Sequence, residues 1–158
     1  HTVSSREKRF TWTTYNQELC VHCSWPSCTS VMDLLRLSRD SAEKIAEKLN
    51  YRHRARTVVA VVQEAGTGTV LMVASMNKEA VVATLTTGLA HYWSLTRRRL
   101  WLKGETSGNI QIVEKFYVDC DRDAVLLVVK QVGVACHKGF KTCFHNSVGE
   151  DGDLITVS

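Results

Sequence analysis

Two short stretches hold residue types able to do metal chemistry. The first is Asp119-Cys120-Asp121-Arg122-Asp123. If this segment stays extended, Asp119, Asp121 and Asp123 point to one side and Cys120 to the other, because strand side chains alternate with period two. Grouped carboxylates suit Mg²⁺, which takes few protein oxygens and keeps several waters. A thiolate suits Zn²⁺. Three carboxylates held together without a cation would raise one another's pKa values. The competing reading is a strand that ends in a solvated acidic turn. The second stretch runs from Gly133 to Cys143 and contains Cys136, His137 and Cys143. Its glycines allow the loop to fold back. With Cys120 these make three thiolates, and a catalytic zinc site commonly has three protein ligands and one open position. No C-x-x-C spacing joins them, so three buried structural cysteines is the alternative. A C-x-x-C does occur earlier, in Cys20-Val21-His22-Cys23 followed by Cys28, without a second half nearby.

The rest of the chain must position these groups. Its 158 residues suit one domain with a short extension, and 44% apolar residues are enough for a core without disulfide staples. At 23% charged residues, disorder is not the default. The net charge of +4 is mild and would suit a phosphorylated substrate. Its densest groups are Arg52 to Arg56 and Arg97 to Arg99, read either as solvated surface or as phosphate contacts. No run approaches the about 18 apolar residues of a membrane span. His1 to Arg9 lack a secretory signal's apolar run. The expectation is a cytoplasmic protein with reduced thiols. Residues 1–31 differ in composition and hold the sole proline, Pro26. They are expected to be an N-terminal extension, disordered or not native, ahead of a domain over residues 32–158.

Ala42, Ile45, Ala46 and Leu49 fall on one helical face, which predicts a helix over about 40–49 with Asp40 and Glu43 as a capping box. Thr57 to Gln63 and Thr69 to Ser75 read as a hairpin around Glu64–Gly68. Asn77 can cap a helix from Lys78 to about Thr86, stopped by Gly88. Strands are predicted over Ala90–Leu95 and Ile110–Cys120, and over Ala124–Val132, an apolar run expected to be buried on both faces. The fold class is α+β, a mostly antiparallel twisted sheet with a few short helices.

The order of motifs is specific. His91-Tyr92-Trp93-Ser94 comes first, then Arg98-Arg99-Leu100-Trp101-Leu102-Lys103-Gly104-Glu105-Thr106-Ser107-Gly108-Asn109. Asp119 to Asp123, Ala135-Cys136-His137 and Thr142-Cys143-Phe144 follow. This series resembles the phosphoribosyl-AMP cyclohydrolases over about residues 49–145. The resemblance implies hydrolysis of the N1–C6 bond of the adenine ring in 1-(5-phosphoribosyl)-AMP by a zinc-activated water, the third step of histidine biosynthesis. It implies Zn²⁺ on Cys120, Cys136 and Cys143, and Mg²⁺ on Asp119, Asp121 and Asp123. It also implies an intertwined homodimer whose zinc ligands come from both subunits. The chain ends soon after Cys143, so the cyclohydrolase activity alone is expected.

On that reading His137 and His91 are the candidate acid–base residues; the alternative for each is a surface or structural histidine. Arg97, Arg98, Arg99 and Lys103 would supply positive charge for the phosphates, and Thr106, Ser107 and the backbone around Gly104 and Gly108 would donate to them. Glu105 would take a ribose hydroxyl or the base, or else pair with a neighbouring arginine. Trp93 and, with it, Trp101 would stack on the purine or pack in the core. The main rival is a non-enzymatic zinc module that binds nucleic acid. The acidic triplet argues against it, because it repels phosphate unless a cation is bound. A deaminase would carry H-x-E and P-C-x-x-C, which residues 32–158 lack. Neither a nucleic-acid partner nor a membrane is expected.

Overall fold

A computed structural model describes residues 34–157 of the chain. The expected extension over residues 1–31, with Cys20, Cys23 and Cys28, lies outside the described residues. Helix α1 spans Arg39–Glu47 and buries Ala42 and Ala46. Its cap is Ser38, whose side chain accepts from the Ser41 amide at 3.2 Å. The cap thus sits two residues before the expected Asp40. Ser38 has extended backbone and a short hydroxyl that reaches the free amides. Asp40 then falls in the first turn, where the helix dipole favours it. Glu43 pairs with Arg39 at 3.0 Å instead of closing a capping box.

Strands β1 (Val58–Glu64) and β2 (Val70–Met76) form the predicted antiparallel hairpin, with a bulge between Val62 and Gln63. Helix α2 spans Lys78–Thr87; Asn77 accepts from the Ala80 amide at 2.9 Å, and Gly88 ends the helix at φ +74°. A β-carbon on Gly88 would meet the Leu34 side chain at 2.4 Å. Strand β3 (His91–Ser94) pairs with β4 (Arg99–Leu102), a strand the apolar pattern did not reveal. Strands β5 (Gln111–Val118) and β6 (Ala124–Gln131) complete the main sheet in the order β2-β1-β6-β5. Four of the five strand pairings are antiparallel, and β1 with β6 is parallel. The last two strands, β7 (Asn146–Val148) and β8 (Leu154–Thr156), form an exposed hairpin.

The core lies on one face of the main sheet, beneath α1 and α2. Leu71, Leu85 and Leu127 are almost wholly buried there. Burial of such a side chain contributes about 2 kcal/mol. Strand β6 was expected to be buried on both faces. Instead Val125, Leu127 and Val129 are buried while Leu126 and Val128 are only half-covered. The helices cover a single face, so the second face stays open. The middle of that open face is apolar, with Gln63, Lys115 and Lys130 at one end of it. The pairing register places Val59 and Val61 of β1, Val73 of β2, Leu126 and Val128 of β6 and Tyr117 of β5 on it together.

Among the described residues no helix is long and apolar enough to cross a membrane.

Candidate active site

The β3–β4 hairpin and the loop after it border a cleft of about 650 Å³. Trp93 enters it from β3, Arg97 from the turn, and Arg99 and Trp101 from β4. Lys103, Glu105, Thr106 and Ser107 line it from the loop. Val73, Ala74 and Ser75 of β2 form its floor, and His137 borders it from the cysteine loop. One cleft therefore gathers eight of the nine side chains expected at the substrate, together with one of the two expected acid–base histidines. Arg98, held at φ +52°, does not border it.

Three cations dominate this cleft, and one of them is already partnered. Arg99 donates to Glu105 at 2.7 Å, so the salt bridge foreseen as Glu105's alternative role is formed. Trp101 takes the core-packing role. It packs against the core beside Tyr92, ring centroids 5.3 Å apart, and still borders the cleft.

The loop holds its shape through backbone contacts. Glu105 donates to the Leu102 carbonyl at 3.0 Å and Gly108 to the Gly104 carbonyl at 2.8 Å. Gly104 sits at φ +83°, and a β-carbon there would lie 2.5 Å from the Asn109 carbonyl carbon. Backbone cannot yield as a flexible side chain can. Gly104→Ala is therefore expected to cost about 2–3 kcal/mol, measured by urea unfolding.

Behind the cleft lies a polar network that sequence reasoning missed. The buried Tyr92 hydroxyl donates to Gln111 Oε1, and Gln111 Nε2 donates to Gln131 Oε1 at 2.9 Å. These bonds tie the β3–β4 hairpin to β5 and β6. The one sequence signal was a glutamine set among the apolar residues Ile110, Ile112 and Val113.

His91 is placed differently from His137. Its Nδ1 is 2.8 Å from the Leu89 carbonyl, and burial holds its pKa below the ordinary histidine value. It is not among the residues bordering the cleft.

The loop carrying Cys136 and Cys143 is fastened to the β1–β2 end of the sheet. The Cys143 amide donates to the Leu71 carbonyl at 2.8 Å, and Thr142 Oγ1 to the Val70 carbonyl at 2.7 Å. Lys141 bonds Glu64 at 2.9 Å, which lowers the Glu64 pKa. The two thiols lie close enough to influence each other's ionisation. Burial raises the Cys143 pKa, the neighbouring Cys136 adds to the rise, and Lys103 opposes it. Burial likewise lowers the Lys103 pKa, against the pull of Cys143 and Cys136. Lys103, His137 and two free thiols thus share one neighbourhood at the cleft.

The three aspartates do meet, with ligand oxygens all within 4.8 Å of one another. They do not meet as expected, by strand alternation. Strand β5 ends at Val118, and residues 119–123 form the turn into β6, with Arg122 at φ +64°. The Asp119 amide bonds the Ala124 carbonyl at 3.0 Å, and Asp119 Oδ1 accepts from the Ala124 amide at 3.1 Å. The chain bends around its own carboxylates. Hydrogen bonding with Asp119, and then with Asp123, raises the Asp121 pKa. Burial pushes Asp123 upward, but its bond with Asp121 and the Arg52 guanidinium outweigh that and lower it. Arg52 and His53, flagged only as part of a basic run, both reach Asp123.

Cys120 sits exposed in that turn, apart from the other two cysteines. The Asp123 carbonyl is bonded by Val59 at one end of β1, whereas Leu71, which holds Cys143, lies near Gln63 at the other. Four strand steps, roughly 13 Å, separate these ends. Sulfurs that share a zinc ion lie about 2.3 Å from it. One chain therefore brings together Cys136 and Cys143 but not Cys120. Among the described residues, the aspartates form the single group of three or more such side chains close enough to hold an ion.

Comparison with known proteins gives the family. Residues 72–145 match the family model described as phosphoribosyl-AMP cyclohydrolase. A phosphoribosyl-AMP cyclohydrolase of Ignicoccus hospitalis is 61% identical over 120 residues, 75% of this chain and 93% of that protein. One from Sulfurisphaera tokodaii is 52% identical over 116 residues, 73% of this chain and 98% of its own length. One from Pyrobaculum calidifontis is 60% identical over 114 residues, 72% and 89% respectively. The stretch that folds into the cleft, the acidic turn and the cysteine loop is thus the stretch held in common, and the chain belongs to the phosphoribosyl-AMP cyclohydrolase family of histidine biosynthesis.

Proposed function

We propose that the chain hydrolyses the N1–C6 bond of the adenine ring in 1-(5-phosphoribosyl)-AMP at a zinc site completed by a second copy of itself. The observation that carries this reading is the split ligand set: Cys136 and Cys143 at one end of the sheet, Cys120 and the aspartates at the other. The open sheet face, apolar in its middle, supports it. Two copies packed through that face, with strands running in opposite senses, set the acidic turn of each against the cysteine pair of the other. This arrangement is the intertwined homodimer, and Cys120 of the partner subunit supplies the third sulfur.

The donor sets fit the two ions. Cys136 and Cys143 are free, adjacent thiols, suited to zinc, and the aspartate oxygens suit magnesium. Zinc, when bound, supplies an acidified water at neutral pH. Magnesium at the aspartates balances their charge. His137 borders the cleft beside Cys136 and moves protons to or from the purine. His91 is the second candidate, with its Nδ1 held by Leu89. Trp93 and Trp101 offer aromatic faces to the base. Arg97, Arg99, Lys103, Thr106 and Ser107 hold the two phosphates. When Arg99 turns to phosphate, Glu105 is freed for a ribose hydroxyl. We place the catalytic domain at residues 32–158 and the protein in the cytoplasm, where Cys120, Cys136 and Cys143 stay reduced.

The test is a spectrophotometric assay with phosphoribosyl-AMP, with and without a zinc chelator, alongside metal analysis of the purified dimer. Turnover that vanishes with chelation and returns with zinc is expected. Full turnover by zinc-free protein refutes the reading.

A further inference from the structure

Two of the three carboxylates of the acidic turn carry a counter-charge. Arg52 reaches them from the segment ahead of β1, and its Nη2 donates to Asp123 Oδ2 and, at 3.1 Å, to Asp121 Oδ2. His53 Nε2 stands 3.2 Å from the same Asp123 oxygen. A divalent ion at the centre of the turn would draw on these same two carboxylates. Mg²⁺ binds carboxylate oxygens at about 2.1 Å, so its ligands lie within about 4.2 Å of one another. The three aspartate oxygens already lie within 4.8 Å and need close only slightly. A guanidinium and a divalent ion held on the same carboxylates repel each other at this range. The two partners differ in freedom. The Arg52 side chain is 56% exposed and can swing into water, whereas that of Asp123 is 8% exposed and cannot.

We propose that Arg52 is the internal counter-ion of the aspartate turn. It holds the Asp121 and Asp123 carboxylates together beside Asp119 while no divalent ion is present and gives way when one binds. This rests on the reading of the turn as the magnesium site. Arg52 acts through the aspartates and is a positioning residue.

The test uses the full chain and Mn²⁺ as probe, with free Mn²⁺ read by electron paramagnetic resonance. Arg52→Gln should bind Mn²⁺ about ten-fold more tightly, since one charge repelling a divalent ion is gone. It should also melt below wild type without divalent ion and recover when Mg²⁺ is added. Arg52→Lys keeps the charge and loses the fork, so it should tighten binding by a smaller factor; if the glutamine variant does not fold, this one decides. Binding unchanged or weakened in the folded variants overturns the proposal. If Asp121→Asn still abolishes Mn²⁺ binding in that case, the metal site itself stands. No Mn²⁺ binding by wild type or Arg52→Gln overturns the metal reading, and the proposal with it.

Discussion

Cys136→Ser should leave a folded chain that carries no zinc and turns over phosphoribosyl-AMP at least about a thousand-fold more slowly than wild type. Folding should survive because the exchange is nearly isosteric and the local hydrogen bonds are backbone ones. The Cys136 amide donates to the Phe140 carbonyl at 3.2 Å, and the Gly139 amide returns to the Cys136 carbonyl at 3.0 Å. Zinc binding should not survive. A thiolate is soft and forms readily beside a metal, whereas a serine hydroxyl stays protonated near neutral pH. The site then keeps too few sulfurs to hold the ion. Far-ultraviolet circular dichroism, zinc content and kcat/KM measured on one preparation check all three parts. Wild-type turnover in a zinc-free Cys136→Ser preparation would exclude these sulfurs from catalysis.

The second large effect concerns the pairing of chains. Cys120→Ser and Cys136→Ser should each be inactive alone. Unfolded together and refolded as a mixture, they should regain about a quarter of wild-type activity, because half of the dimers are mixed and each mixed dimer holds one intact site of two. The intact site takes Cys120 from one protomer and Cys136 with Cys143 from the other; the second site collects both lesions. The expectation follows from geometry, since the acidic turn and the cysteine loop occupy opposite ends of β1. No recovery on mixing, with zinc bound normally by Cys120→Ser alone, would place the whole site within one chain.

Much of the scaffold was legible because local chemistry decided it. Asn77 and Gly88 bracket α2 by hydrogen bonding and a left-handed backbone, neither of which depends on distant residues. The glycine-punctuated run between β1 and β2 likewise fixed a hairpin. The acidic turn shows where local reasoning ran out. Alternation carries a strand only while a neighbour pairs with it, and β5 loses its partner after Val118. Arg122 then takes a left-handed φ of +64° that no glycine announced. The role of Arg52 was hidden for a different reason: its partner Asp121 is distant in sequence, and a basic run looks the same whether it faces water or carboxylates. Gln111 was hidden because burial of a lone amide requires Tyr92 and Gln131 to converge from two other strands. The cleft residues were nameable from the motif alone, yet their grouping depends on β4, which is too short to stand out by periodicity.

Strand β2 carries a double burden. Val73 and Ser75 lie on the open side of the sheet and also floor the cavity next to Trp93 and Trp101. If two copies pack through that face as proposed, a substitution that reshapes the cavity also alters the surface offered to the second copy, and the reverse. On that arrangement these two positions answer to both demands at once, whereas Thr106 and Ser107, in the loop after β4, border the cavity without lying on the open sheet face.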